Sequence, residues 1–290
     1  RASRARTITA SPSLMSPPKI SVNWSRARRC EGHAIGLVPT MGALHAGHVS
    51  LMEAATKDNG ATIASIFVNP AQFAPNEDFD AYPRTWEGDL EACEKAGIGA
   101  IYAPRDKDLY PEGYTSYITV EALDKVLCSR SRPHFFRGVA TVVAKLFNAC
   151  EPDRAYFGEK DGQQLAVIRR MTRDLDFGID IIGIPTVREP DGLAMSSRNR
   201  YLTDAQREIA LGLSRGLEKG RALLAAGERD AKVIIEAVRS EVMGVDRIDY
   251  IEMVDANEMT PLPEAAGEVM LAVAAWVGEA RLIDNIRHRV

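Results

Sequence analysis

His45 and His48 stand three residues apart with Gly47 between them, after the short apolar run Ile35–Val38 and ahead of an amphipathic stretch. That order reads as a strand running into a loop that opens a helix. A helix N-terminus presents free backbone N–H groups and partial positive charge, which suits phosphate. Gly47 lets backbone approach a ligand, and two imidazoles can donate hydrogen bonds to oxygens whose charge grows during a reaction. The same spacing also suits a helix cap or half of a metal site. Against metal, the carboxylate order of a zinc-protease helix is missing and no Cys-x-x-Cys occurs.

Three further segments carry chemistry. Asn69 and Gln72, flanking Pro70 at a strand end, are carboxamides that donate and accept at once, as a ligand with hydroxyl and carboxylate groups requires; a turn former and a surface residue are the alternative. In Phe157-Gly158-Glu159-Lys160-Asp161, Lys160 can neutralise phosphate and Gly158 can let an adenosine lie on bare backbone. Asp161 either caps the following helix or accepts from a ribose hydroxyl. Met195-Ser196-Ser197-Arg198-Asn199 offers two hydroxyls and a guanidinium, either a clamp over a triphosphate or a solvated polar loop.

These residues need a scaffold, and the apolar pattern supplies one. Residues 35–38, 62–68, 100–103, 155–157 and 179–184 read as buried parallel strands. Residues 49–59, 85–96, 139–149 and 163–175 read as helices between them. Alternation of this kind predicts an α/β, Rossmann-like parallel sheet with ligands at the carboxyl ends of its strands, where the His45, Asn69 and Gly158 segments fall, while the Met195 segment lies on a loop between the domains. After Pro185 the pattern changes to two long helices (203–226 and 231–243) and strand-like 248–254 and 269–277, a smaller α+β unit. The expected organisation is a disordered tail over 1–19, a Rossmann-like nucleotide-binding domain over 20–186 and a C-terminal α+β lid domain over 187–290.

The charge balance narrows the partners. The chain has 290 residues and a net charge of −4, but residues 1–30 hold six arginines and Lys19 with no acid, so removing that +7 leaves −11 on the remainder. An acidic body argues against a nucleic-acid surface. No apolar run approaches the ~20 residues of a membrane span. Cys30, Cys93, Cys128 and Cys150 are scattered without framework spacing, as expected of reduced thiols in the cytoplasm.

The runs Val38-Pro39-Thr40-Met41-Gly42-Ala43-Leu44-His45, Asn69-Pro70-Ala71-Gln72-Phe73, Tyr82-Pro83-Arg84-Thr85, Arg137-Gly138-Val139, Phe157-Gly158-Glu159-Lys160-Asp161, Gln163-Gln164-Leu165, Leu193-Ala194-Met195-Ser196-Ser197-Arg198-Asn199 and Arg281-Leu282-Ile283-Asp284-Asn285 together resemble one family, the pantothenate synthetases (pantoate–β-alanine ligases). The resemblance implies ATP-dependent condensation of pantoate with β-alanine through a pantoyl adenylate, releasing pyrophosphate and AMP. It implies that His45, His48, Lys160, Ser196, Ser197 and Arg198 hold the phosphates. Pro39, Thr40, Met41, Gly47, Gly158, Asp161, Val187 and Met195 would form the rest of the ATP site. Gln72, Gln164 and Asn69 would take the substrate. Mg²⁺ on the triphosphate is implied, with Asp89 as the acidic position to help hold it, and so is a homodimer.

Three positions depart from the family pattern: Ala46 replaces a usual Glu, Phe135 displaces a histidine by one place, and Gly162 stands where a bulkier residue is frequent. A nucleotidyltransferase that keeps the nucleotide on its product, adenylyl- or cytidylyl-, would share the histidines and the serine loop but has no use for Gln72 and Gln164. A catalytically degenerate nucleotide-binding protein would bind ATP without releasing pyrophosphate.

Overall fold

The computed structural model describes residues 12–15, 18–74 and 79–290. Part of the expected tail is built into the fold. Ser13–Met15 (β1) pairs in parallel with residues 100–102, and a helix begins at Pro18 and runs to Cys30 (α1). Residues 1–11 and 16–17 of that expectation lie outside the described residues. Proline suits the first turn of a helix, where its missing N–H is no loss. Two serines then tie α1 to the end of a neighbouring helix: Ser21 Oγ donates to the Ala149 carbonyl (2.6 Å) and Ser25 Oγ to the Cys150 carbonyl (2.5 Å). Carbonyls at a helix C-terminus lack intrahelical donors, so these hydroxyls fill a standing need. Arg26 pairs with Glu151 just beyond.

The remaining elements of the first unit alternate as the pattern predicts. They are Ile35–Thr40 (β2), Ala46–Asp58 (α2), Ala61–Ile66 (β3), Trp86–Lys95 (α3), Ala100–Tyr102 (β4), Asp106–Leu109 (α4), Cys128–Ser131 (α5), Phe135–Cys150 (α6), Arg154–Gly158 (β5), Gly162–Asp174 (α7) and Asp180–Ile184 (β6). All six strands run parallel, in the order β1-β4-β3-β2-β5-β6. Successive residues face opposite cores, as the strand period of two demands. Leu37, Ile63, Tyr102 and Phe157 pack with α6 and α7, whereas Val38, Ala64, Ile101 and Tyr156 pack with Leu51, Met52 and Ala55 of α2.

From β2 the chain first builds outward through β3 and β4, then returns to lay β5 on the other side of β2. The strand order therefore reverses between β2 and β5, and an open α/β sheet leaves a crevice at the carboxyl ends on either side of such a reversal. The loops carrying His45 and Lys160 are those that leave β2 and β5.

The second unit comprises Asp204–Ala225 (α8), Ala231–Arg239 (α9), Arg247–Asp255 (β7), Glu268–Val277 (β8) and Ala280–Arg289 (β9), with β7-β8-β9 an antiparallel sheet. Helix α9 ends at Arg239, earlier than expected from the pattern through 243. The β8 strand faces two ways. Leu271, Val273 and Ala275 pack under α8 and α9, while Met270 and Ala272 join the core of the first unit. No described helix is long and apolar enough to cross a membrane.

Candidate active site

The loop after β2 is set by backbone conformation and one buried acid. Gly42 and Ala43 both take positive φ (78° and 50°), a turn that swings the chain from the strand into α2. Asp89, 2% exposed in the first turn of α3, holds this turn: its carboxylate accepts from the Ala43 N–H (3.0 Å), the Leu44 N–H (2.8 Å) and Thr85 Oγ1 (3.1 Å). The sequence resemblance offered Asp89 as a metal-holding position; in the structure its carboxylate holds the turn. Both of its oxygens serve the turn, and it is absent from the cavity wall. No group of three or more His, Cys, Asp or Glu side chains able to hold a metal ion occurs among the described residues.

His45 is the N-cap of α2, and the two histidines cap that helix reciprocally. The Gly47 N–H donates to His45 Nδ1 (3.2 Å), and the His45 N–H donates to His48 Nδ1 (3.3 Å). A nitrogen that accepts from an amide carries no proton, so each neutral ring holds its proton on Nε2. Both rings are neutral at pH 7. Burial, then the Lys160 charge, lowers the His45 pKa to about 4; burial, then His45 and Lys160, lowers that of His48 to about 3. The rings lie 4.1 Å apart between centroids. A Cβ at residue 47 would sit 2.9 Å from His45 Cε1, so the glycine makes room for the ring as well as for a ligand.

A cavity of about 290 Å³ opens at the strand reversal, and it gathers the sequence candidates. Pro39, Thr40, Met41, His45, Gly47, His48, Asn69, Gln72, Gly158, Lys160, Asp161, Gln164, Val187, Met195, Ser196, Ser197 and Arg198 all line it. Several resolve the alternatives left open by sequence. Asp161 occupies the N-cap position of α7 but makes no side-chain capping bond, so its carboxylate is uncommitted there. Nothing lies within 4 Å of where a Gly158 Cβ would point, and that strand end faces open space. Ser196 Oγ accepts from the Arg198 N–H (3.3 Å) and starts the tight turn 197–201, which makes the serine loop a formed structure. Lys160 has no ion-pair partner among the described residues.

Asn69 is engaged within the protein in the same way. It borders the cavity, yet its amide is consumed internally. Oδ1 accepts from the Tyr110 hydroxyl (2.7 Å) and the Ala71 N–H (3.3 Å), while Nδ2 donates to Gln72 Oε1 (3.0 Å) and the Gly138 carbonyl (3.2 Å). No donor or free proton remains for a substrate, so Asn69 supports Gln72. Thr40 is similar: its hydroxyl donates to the Ser65 carbonyl and accepts from the Gly42 N–H, leaving main chain as its face to a ligand.

Residues whose roles sequence reasoning missed tie the two units to this cavity. Asn285 on β9 donates to the carbonyls of Glu159 (2.9 Å) and Lys160 (2.7 Å), fixing the Lys160 loop. Its neighbour Asp284 pairs in bidentate fashion with Arg188 (2.7 and 3.0 Å) at the base of the hairpin leading to the serine loop. The run Arg281–Asn285 was visible as a motif, but nothing in it disclosed which loops it would reach. The Gly162 departure also finds its counterpart, since a Cβ there would fall 2.5 Å from Met270 Sδ; in this chain the methionine fills that space. Phe135, the displaced position, packs under the Arg132 guanidinium (3.9 Å) at the cavity wall.

Comparison with known proteins agrees with this geometry. Residues 15–287 match the pantoate-β-alanine ligase family. A pantothenate synthetase of Moorella thermoacetica is 56% identical over 266 residues, covering 91% of this chain and 94% of the relative. The crystal structure of pantothenate synthetase from Thermus thermophilus superposes with a TM-score of 0.88 at 42% identity, covering 94% of this chain and 98% of that one. The pantoate-β-alanine ligase of Francisella tularensis, solved with β-γ ATP and β-alanine, gives a TM-score of 0.74 at 33% identity, covering 95% and 97%. With its fold, its motifs and nearly its whole length shared, this chain belongs to the pantoate-β-alanine ligase family.

Proposed function

We infer that the cavity between β2 and β5 performs the family's reaction, ATP-dependent condensation of pantoate with β-alanine, with the residues in the following roles. A pantoate carboxylate oxygen bonds to the α-phosphorus of ATP as the bond from that phosphorus to the bridging oxygen breaks, and pyrophosphate leaves. The β-alanine nitrogen then bonds to the acyl carbon, expelling AMP and giving up a proton as the amide of pantothenate forms. ATP activates the acid, so no protein nucleophile is required, and the protein contributes alignment and charge stabilisation.

The Nε2–H groups of His45 and His48 are fixed donors to the phosphate oxygens. Lys160, Arg198 and the hydroxyls of Ser196 and Ser197 grip from the facing wall. Gln72 and Gln164 hold pantoate, and Asp161 takes the ribose beside the bare backbone of Gly158. The observation that carries this reading is the convergence of two neutral, Nδ1-locked imidazoles and Lys160, without an ion-pair partner among the described residues, on one cavity with Gln72 and Gln164. Mg²⁺ finds no protein cage among the described residues and enters as the counter-ion of the triphosphate, where it keeps water ligands. The reading further takes 187–290 as a lid over a nucleotide-binding domain at 20–186, a homodimeric assembly and a cytoplasmic location.

The test is product analysis with ATP, Mg²⁺ and pantoate, with and without β-alanine. The expected result is AMP formed in step with pantothenate and only with β-alanine present. Product that retains the nucleotide points instead to a nucleotidyltransferase, and ATP binding without pyrophosphate release points to a degenerate member.

A further inference from the structure

The orientation of Gln72 is decided outside the cavity. A glutamine amide offers either a carbonyl or an N–H face, and neighbouring donors and acceptors determine which one a ligand meets. Gln72 Oε1 is taken by Asn69 Nδ2 (3.0 Å), so its NH₂ points to Met41 Sδ (3.2 Å) at the cavity wall. Asn69 is in turn oriented by two donors on Oδ1, the Tyr110 hydroxyl at 2.7 Å and the Ala71 N–H at the longer 3.3 Å. Asn69 is 1% exposed, so its amide has no water to fall back on.

We propose that Tyr110 is a positioning residue that, through Asn69, makes Gln72 present N–H donors to the acid substrate. The proposal rests on the reading of Gln72 as a pantoate ligand. Tyr110 itself is well held for the task. Its ring stacks edge-on with Tyr114 (5.1 Å) and lies near Phe67 (6.4 Å), with the Lys145 ammonium over both tyrosines (5.7 and 4.5 Å). Burial raises the phenol pKa further above its ordinary value, so the hydroxyl remains a donor throughout the working range. An N–H face at residue 72 selects ligands that bring oxygen acceptors and disfavours ligands that bring donors, so the polarity set by Tyr110 is a specificity device.

The experiment is steady-state kinetics in pantoate and in ATP for Tyr110→Phe, Asn69→Asp, Gln72→Ala and the Tyr110→Phe/Gln72→Ala double variant, with Tyr114→Phe as control. Tyr110→Phe keeps the ring packing and removes only the donor. It is expected to raise KM for pantoate about fivefold, the scale of one neutral hydrogen bond, with KM for ATP unchanged. Asn69→Asp retains the acceptor for Tyr110 but forces Gln72 to turn its NH₂ inward, and is expected to raise KM for pantoate on the order of tenfold. In the Gln72→Ala background, Tyr110→Phe should add nothing, and Tyr114→Phe should behave as the parent. A parent-like pantoate KM in Tyr110→Phe while Gln72→Ala raises it overturns the proposal, as does an equal loss for both substrates. Should Tyr110→Phe not fold, a parent-like pantoate KM in Asn69→Asp overturns it instead. A normal pantoate KM in Gln72→Ala overturns the parent reading of Gln72, and this one with it.

Discussion

The two walls of the cavity are built on opposite principles. On the β2 side the groups that orient the site are held internally: both Nδ1 atoms accept amides, Asp89 holds the turn, and the imidazoles are neutral, with their Nε2–H groups left for a ligand. On the facing side stand charges on long, flexible stems, Lys160 with its four-carbon chain and Arg198 in the serine loop. The difference teaches how one site can be both accurate and strong. Fixed neutral donors are preorganised at no cost during reaction, whereas full positive charges supply attraction to phosphate.

That contrast can be broken at each wall. Removing a fixed donor should cost most: His48→Ala is expected to lower the rate of pantoyl-adenylate formation by roughly 10²–10³, with ATP affinity changed far less, checked by single-turnover adenylation and equilibrium binding. Removing a positive charge should cost less and act on binding. Lys160→Ala is expected to weaken ATP binding by about 10–100-fold. It should also flatten the salt dependence of ATP affinity, which His48→Ala should leave intact. The smallest effect on rate belongs to the support. Asp89→Asn exchanges one acceptor of the turn for a donor, so it is expected to lower stability by about 1–3 kcal/mol and adenylation by about tenfold, measured by denaturant melts and single turnover. An Asp89→Asn protein that has lost Mg²⁺ dependence but kept its stability would restore the metal reading and remove the rigid-wall one.

The parts legible in the sequence were those governed by local rules. Buried parallel strands announce themselves as apolar runs, and the His-x-Gly-His segment sits where a helix must begin, so the parallel sheet and the polar loops at its carboxyl ends could be read. Gln164 and Val187 came from the family resemblance, and the apolar part of the wall, such as Val143 and Leu146 of α6, was not singled out. What escaped depended on distant partners. The sequence Ser13-Leu14-Met15 is too short to read as a strand, and it becomes one only because residues 100–102 offer a free edge. The α1 helix has no acid in its first turn and a mean composition too polar to stand out, and it is tied down by the carbonyls of α6 that Ser21 and Ser25 meet. The internal bonds of Asp89 and Asn69 escaped for one reason. Residue type shows what a side chain can bind, and only the packing of α3 and Tyr110 against the loops shows that the protein has already bound it.

The neutrality of the fixed wall also has a pH signature. Imidazoles of ordinary pKa 6.5 in the unfolded chain, lowered to about 4 and about 3 on folding, contribute stability that is complete above pH 6.5. It is lost as pH falls through that window, because the unfolded chain takes up protons that the folded one refuses. The most direct test is nitrogen-detected NMR of the histidine side chains, with His45 and His48 assigned through His→Gln variants. The account predicts both rings neutral at pH 7, protonated on Nε2 and bare on Nδ1, and unchanged down to about pH 5. Titration of either ring near 6.5, or a proton found on Nδ1, would contradict it.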